Sequence, residues 1–385
     1  MKIVIICDDF PSEGRPTFVF VEQLVNELAR QDVEVAVIAP QSLTRHYLRH
    51  VPLLPKKTIV DNNNHPYTVY RPYSISLGNA KGWVIKLLEK YRYIGIKKCL
   101  RELGKNLDAI YGHFWHSAFV AREYAYENNI PMFVACGEGD NAIEHLVARM
   151  TEEEKAKFSE GVKGVISVSS ENKRKSIKYG LAKEENIIVL PNSVDSGIFV
   201  KDTKRNVRNE LGVSDDDFLI AFTGAFIHRK GSARLSAAID KLNNPHIKVA
   251  FIGGSLEGDD ATPTCKGIVH MGKVNHDEVP QYLFAADLFC LPTLNEGCSN
   301  AIVEALACGL PVVSSNLPFN EDILDETNSI TIDPMNVDQI ADAISTIKNT
   351  EGLKERLSAG ASAKAENLRI DIRAKKIINF IQSKL

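Results

Sequence analysis

Short apolar runs bounded by polar turns alternate along the chain with stretches in which apolar residues recur every three or four positions. The runs at residues 3–7, 34–39, 108–111, 132–135 and 161–169 predict strands, and residues 18–31 predict an amphipathic helix between the first two. Such alternation argues for a parallel sheet covered by helices on both faces. Pro191-Asn192-Ser193-Val194-Asp195 interrupts it, and a polar stretch over 201–217 precedes a fresh series of apolar runs at 218–222, 249–253, 288–291 and 312–315. A last helix is predicted over 370–383. With 385 residues the chain exceeds the size at which one hydrophobic core keeps growing. The expected fold class is therefore α/β with two domains, 1–195 and 196–369, each built on a parallel sheet.

The densest information lies at residues 295–313. Asp287-Leu288-Phe289-Cys290-Leu291-Pro292 is an apolar run ended by proline, and Ser299 or Asn300 suits a helix N-cap. Glu304 then falls just over one turn inside that helix. Gly309 suits the left-handed position past its end, and Pro311 prevents continuation before the strand at 312–315. In open parallel sheets ligands collect beyond the carboxyl ends of the strands, where helix N-termini present free N–H groups to anions. Glu296 and Glu304 would there hydrogen-bond two hydroxyl-bearing rings, with a phosphate between them. A glutamate pair by itself is more often a loop charge and a solvated helix residue. Glu304, however, is flanked by Ile302, Val303, Ala305 and Leu306, so its charge calls for a polar partner.

From Glu296 to Val313 the chain resembles the family 4 retaining glycosyltransferases, and the resemblance spans nearly its full length. It implies two Rossmann-like domains facing across a cleft, the GT-B type. Residues 1–195 would form the acceptor side and 196–369 the donor domain, with a C-terminal helix over about 370–385 packing back on the first domain. It implies a nucleoside-diphosphate sugar donor, a sugar or lipid-linked acceptor, and neither cofactor nor metal. Glu296 would contact the donor sugar and Glu304 the ribose, with Gly297, Cys298, Ser299 and Asn300 at the helix mouth.

Thr223-Gly224-Ala225-Phe226-Ile227-His228-Arg229-Lys230-Gly231 resembles the family's Gly-Arg-Leu-x-x-x-Lys-Gly diphosphate loop. Lys230 and Gly231 match, Ala225 occupies the arginine position, and Arg229 stands ready to substitute from beside Lys230. Val274, within 271–279, falls in the segment that lines the base. Asn192 and Asp195 match Pro-Asn-Gly-Val-Asp, with Ser193 in place of glycine, a segment read as structural. Asp8-Asp9-Phe10-Pro11-Ser12-Glu13-Gly14-Arg15-Pro16 resembles the glycine-bearing loop near donor and acceptor, with Gly14 as the candidate contact. It lacks Gly-x-Gly-x-x-Gly, which disfavours a dinucleotide site. His113 matches a recurrent family histidine, although a lone His at a strand end is more often a packing residue. Many members carry His-Gly where this chain reads Cys136-Gly137-Glu138-Gly139-Asp140, so Glu138 is the candidate to hydrogen-bond the donor or take the acceptor's proton. Glu296, Glu138 and His113 are thus the catalytic candidates.

Composition, 44% hydrophobic and 25% charged, is ordinary. The chain has no long apolar window, and Met1-Lys2 leads straight into a strand, from which a cytoplasmic protein is expected. The seven cysteines form no CxxC and sit mostly in apolar runs, as reduced core thiols do. Asp215-x-Asp217 matches a metal motif of another glycosyltransferase fold but sits in a hydrophilic turn, as solvated charge does. Net charge is −3, yet residues 42–110 hold thirteen Lys or Arg against four Asp or Glu, a surplus of nine. Within them, 83–92 reads as a basic amphipathic helix continued by Lys97, Lys98, Arg101 and Lys105. Such segments attract anionic membranes or phosphorylated ligands, and the plainer reading is a surface helix packed on the core. No nucleic-acid-binding fold accompanies the charge. The expected activity is metal-independent, retaining sugar transfer at the inner face of the membrane, in surface polysaccharide or glycolipid assembly. The alternatives are a nucleotide-sugar 2-epimerase and a non-catalytic nucleotide-sugar-binding partner subunit.

Overall fold

The structure is a computed structural model that describes residues 1–12, 15, 17–78, 82–139, 141–195, 197–199 and 206–385. Gly14, one of the candidate contacts, lies outside the described residues. The chain forms two compact units: residues 1–168, 172–190 and 374–385 make the first, and residues 169–171 and 191–373 the second.

The first unit is built on strands β1 (Lys2–Ile6), β2 (Glu34–Ile38), β3 (Gln41–Ser42), β4 (Lys57–Val60), β5 (Tyr67–Tyr70), β6 (Tyr73–Ser74), β7 (Ala109–His113), β8 (Met132–Cys136), β9 (Val162–Ser167) and β10 (Ile187–Val189). Eight of them form one sheet in the order β10-β9-β8-β7-β1-β2-β5-β4, and β3 pairs with β6 alone. Among the described strands only β4 runs antiparallel to its neighbour. The inner strands β7 and β8 are buried along their whole length, as continuous apolar runs must be when helices cover both faces. Its helices are α1 (Val19–Arg30), α2 (Leu43–Arg49), α3 (Trp83–Leu103), α4 (Trp115–Asn128), α5 (Ala142–Val147), α6 (Glu152–Gly161) and, from Asn172 onward, α7 (Ser170–Lys178). Helix α4 lies so close on β7 that a Cβ at Gly112 would stand 2.5 Å from the Ala118 side chain.

In the second unit β11 (Phe218–Thr223), β12 (Ile247–Ile252), β13 (Ile268–Gly272), β14 (Leu288–Leu291), β15 (Val312–Ser315) and β16 (Ser329–Ile332) form an all-parallel sheet in the order β13-β12-β11-β14-β15-β16. Helices α8 (Val207–Glu210), α9 (Ser232–Leu242), α10 (Val279–Ala285), α11 (Asn300–Ala307), α12 (Val337–Asn349) and α13 (Leu353–Glu366) accompany them. The last helix, α14 (Ile370–Gln382), contributes its residues from Ala374 onward to the first unit. Ile377 and Ile381 are fully buried, and the Phe380 ring meets Phe133 edge-on at a position left open by Gly164.

Both sheets reverse their strand order at one point. Chain order runs from β1 to β2 on one side and from β7 to β10 on the other, and likewise from β11 to β13 and from β14 to β16. Loops leaving the carboxyl ends of β1 and β7, or of β11 and β14, therefore part in opposite directions and leave a crevice where ligands bind in such sheets.

Candidate functional site

In the second unit the loops after β11 and β14 are fastened to each other. Gly231 closes the first with φ +81°, and a Cβ there would stand 2.4 Å from the Pro292 carbonyl oxygen of the second. Arg234 of α9, buried, donates to the carbonyls of His228 and Pro292, each at 2.8 Å, and the Leu294 N–H donates to the Arg229 carbonyl at 2.9 Å. This fastening sets the side chains that follow. Lys230 Nζ reaches Glu296 Oε1 at 2.5 Å, Arg229 Nη1 approaches the same oxygen at 3.3 Å, and the Thr293 hydroxyl donates to it at 2.9 Å. Two cations and a hydroxyl thus converge on one carboxylate whose side chain is only 11% exposed. Arg229 also donates to the Asn295 carbonyl at 2.6 Å.

The chain then enters α11 through Gly297, Cys298 and Ser299, all buried. Ser299 is the N-cap, yet its side chain makes no capping bond, and its buried hydroxyl has no hydrogen-bond partner among the described residues. The N-cap side chain therefore takes none of the first-turn N–H groups of α11, and a helix mouth with free N–H groups receives an anion. Asn192 secures this entry by donating to the Cys298 carbonyl at 2.9 Å and to Asn300 Oδ1 at 2.7 Å, in keeping with the structural reading of its segment. Burial pushes the Cys298 thiol up to about 12, which disfavours the thiolate that a nucleophile requires. Further along α11, Glu304 has the polar partner its apolar neighbours called for: His276 Nε2 stands 3.4 Å from Glu304 Oε1, and this contact raises the His276 pKa above its ordinary value. His276 comes from the loop after β13, where Val274 is half-buried.

The first unit gathers charge at its own reversal point. Asp8, just past β1, meets Arg92 of α3 at 2.5 Å and the Ser117 hydroxyl at 3.4 Å, and lies 3.9 Å from His116 of α4. His116 Nε2 lies 3.3 Å from Glu89, which accepts from Arg149 at 2.8 Å. Burial opposes the charge on Asp8, but Arg92 and His116 outweigh it and hold the carboxyl below the usual range. Burial likewise works against protonated His116, and Asp8 and Glu89 overcome it, so its pKa is raised. The sequence names Asp8 in its loop and 83–92 as a basic helix, but their meeting in this chain of charges leaves no sequence signal, because its members come from separate segments.

His113 is buried at the end of β7 among aromatic rings, 4.8 Å from Phe114 and 5.4 Å from Phe20 between centroids. Phe114 itself has φ +77° and ψ 152°, a region otherwise left to glycine. It is the N-cap of α4 and offers no capping side chain. Glu138 supplies the missing acceptor, taking the Trp115 N–H at 2.6 Å and the Gly137 N–H at 3.0 Å, while its own carbonyl accepts from Asn172. Burial raises the Glu138 pKa against the pull of those N–H groups. Asp217, the second acid of the Asp-x-Asp, is engaged by the Ser214 N–H and hydroxyl in a local turn. Among the described residues no group of three or more His, Cys, Asp or Glu is placed to hold a metal ion.

Two family models tile the sequence. One described as "Glycosyltransferase Family 4" matches residues 18–197, and one described as "Glycosyl transferases group 1" matches residues 203–364. The chain belongs to the family 4 glycosyltransferases. A relative from Bacillus subtilis (strain 168), named "Putative teichuronic acid biosynthesis glycosyltransferase TuaC", is 26% identical over 95% of this chain and 97% of its own. Two solved structures share the glycosyltransferase's fold. Sucrose-phosphate synthase from Thermosynechococcus elongatus superposes with a TM-score of 0.77 at 16% identity over 99% of this chain and 98% of its own. Anabaena Alr3699/HepE in complex with UDP-glucose does so with a TM-score of 0.73 at 17% identity over the whole of both chains. The fold is thus the two-domain α/β arrangement of the GT-B class.

Proposed function

We propose that this glycosyltransferase moves a sugar from a nucleoside-diphosphate sugar to an acceptor hydroxyl, with retention of anomeric configuration and without a metal ion, in the assembly of a surface polysaccharide or glycolipid. The observation that carries the donor side is the convergence of Lys230 and Arg229 on Glu296 at the reversal point of the second sheet, beside the uncapped mouth of α11. A diphosphate placed there receives two cations and a helix N-terminus, the groups that stabilise it as it leaves. Arg229 takes over the charge that Ala225 does not supply. Glu296 orients the sugar, Glu304 holds the ribose, Val274 lines the base, and Gly297, Cys298, Ser299 and Asn300 offer the helix mouth. The Anabaena structure bound to UDP-glucose supports a donor of this class, and the name of the Bacillus relative supports a polysaccharide product.

In this reading the acceptor hydroxyl, that of a sugar or a lipid-linked sugar, approaches the carboxyl edge of the first sheet near Glu138 and His113, with Gly14 kept as a contact on the resemblance alone. The raised pKa of Glu138 suits it to take a proton. The basic helix α3 brings the enzyme to an anionic membrane from the cytoplasmic side, as a peripheral contact. Its Trp83, Leu87, Tyr91 and Ile94 are exposed, at 76, 56, 39 and 58%, in one stripe of the helix. Among the described residues no helix is long and apolar enough to cross a membrane.

A thermal-shift screen of nucleoside diphosphates and their sugars, repeated with Glu304→Ala and Lys230→Ala, tests the donor side. One nucleotide series should stabilise the protein and lose its effect in both variants, and no response to any nucleotide would overturn the assignment. Retention follows from the anomeric configuration of the product by NMR. Failure to bind anionic vesicles at low salt would remove the membrane contact.

A further inference from the structure

The carboxyl edge of β1 in the first unit holds a cavity of about 230 Å³ that is lined by none of the residues assigned above to the transfer. It is smaller than the roughly 300–1,000 Å³ of pockets that take drug-sized ligands, and so suits one small ring. Most of the polar groups around it are already engaged within the protein. Gln41 donates to the Leu54 and Arg71 carbonyls and accepts from the Leu54 N–H, and the Ser42 and Ser76 hydroxyls bond each other at 2.6 Å. Asp9 is occupied at both oxygens: Oδ1 takes the Phe10 N–H at 3.0 Å, and Oδ2 takes Arg15 at 2.5 Å with Arg45 at 3.7 Å. His116 stands between Glu89 and Asp8.

Asp8 is different. Arg92 Nη2 at 2.5 Å, the Ser117 hydroxyl at 3.4 Å and His116 Nδ1 at 3.9 Å all address its Oδ1. Oδ2 takes no donor among the described residues, although Asp8 lines the cavity and its side chain is 38% exposed. The Ser74 hydroxyl, on the same lining, has no partner among the described residues either. Three groups on one oxygen fix the rotation of the carboxylate and leave the other oxygen as a prealigned acceptor. Such an oxygen attracts a neutral hydroxyl and repels an anion. We propose that this cavity binds one ring of a neutral sugar, with Asp8 Oδ2 accepting a hydrogen bond from a ring hydroxyl beside the Ser74 hydroxyl. Resting on the acceptor-side reading of the first unit, this makes the ring the acceptor sugar and Asp8 the residue that orients its attacking hydroxyl. In the transfer that oxygen bonds the anomeric carbon as the bond from the same carbon to the diphosphate breaks, its electron pair staying with the diphosphate. The hydroxyl proton leaves for Glu138 as proposed above. Asp8, held ionised by Arg92 and His116, is too weak a base to keep it.

The probe is a panel of methyl glycosides of neutral hexoses, added to the full chain and followed by saturation-transfer NMR. At least one of them should bind saturably. Asp8→Asn tests the open oxygen with almost no change in volume. Because Arg92, Ser117 and His116 all address Oδ1, the amide must turn its oxygen to them and its NH2 into the cavity, which replaces an acceptor by a donor. Affinity for the glycoside should fall roughly tenfold or more. Ser76→Tyr, filling the cavity from an exposed position with the groups on Asp8 left in place, should abolish binding. Absence of binding by every glycoside, or binding undiminished in either variant, would overturn the proposal. Nucleotide thermal shifts on the same preparation separate the two readings. A nucleotide response without glycoside binding defeats this proposal alone, and glycoside binding that depends on Asp8 without any nucleotide response defeats the donor assignment alone.

Discussion

Glu296 carries three hydrogen-bond donors on one oxygen, and its removal separates binding of the phosphates from binding of the sugar. Glu296→Gln keeps the shape but leaves Lys230 and Arg229 facing each other without a counter-charge, so stability should fall by about 1–3 kcal/mol, read by urea denaturation. The same two cations are then free for a diphosphate. Calorimetry should show nucleoside diphosphate affinity retained while the added affinity for its sugar conjugate, and transferase turnover, are lost. His276 provides a pH signature. Glu304 raises its pKa, so the folded state holds the proton more tightly than the unfolded chain. The resulting stabilisation is fully present below the ordinary imidazole value, roughly 6.5, and is lost as pH rises through the raised one. The stability gap between wild type and His276→Gln should therefore be largest in mild acid and close in mild alkali, measured by denaturation across that range. His116, raised by Asp8 and Glu89, adds to the wild type's dependence with the same sign.

At the scale of elements, α4 depends on a residue outside itself. Phe114 precedes it in a glycine-like conformation without a capping side chain, and the Glu138 carboxylate beyond β8 takes the first N–H of the helix instead. Glu138→Ala should lower stability by about 1–3 kcal/mol, with accelerated amide exchange at Trp115 and the residues after it. Glu138→Gln keeps an acceptor and should restore most of that stability. Turnover that remains lost in Glu138→Gln would support the proton-accepting role, and turnover that returns with the helix would overturn it. Helix α3 divides along its length: Ile96, Cys99 and Leu100 are buried, while in the first half Val84, Ile85 and Leu88 are half-buried and Trp83, Leu87 and Tyr91 are exposed. The plain reading of a surface helix packed on the core is fullest in the second half.

For the whole molecule, α14 ends the chain within the first unit, where Ile377 is fully buried. Ile377→Ala should cost that unit about 2–5 kcal/mol. The effect can be read selectively, because both tryptophans, Trp83 and Trp115, belong to the first unit. Tryptophan emission should then report an earlier transition in denaturant, while nucleotide-dependent protection of the second unit is unchanged. A shift of both transitions together would mean that the units unfold as one.

The sequence by itself determined the period of the elements and their local punctuation. Apolar runs at β1, β7, β8, β11, β14 and β15, the stop at Gly309 and Pro311, and the need of Glu304 for a partner all follow from interactions within a few residues, which is the range over which propensity and periodicity act. The family motif likewise marked Glu296 and Lys230 because it is contiguous. Short half-buried strands such as β4 and β10 escaped, since so few residues carry no clear period. Only the tertiary structure decided which groups meet. The reversal of strand order at β1/β7 and β11/β14 is set by how crossovers pack. It brings Arg229 and Lys230 to Glu296 and Asp8 to His116, while the order of the strands within the sheets brings His276 to Glu304 and Glu138 to the start of α4. Contacts between residues so far apart in the chain leave no local trace, because their stabilisation exists only once the sheet has ordered the loops that bear them.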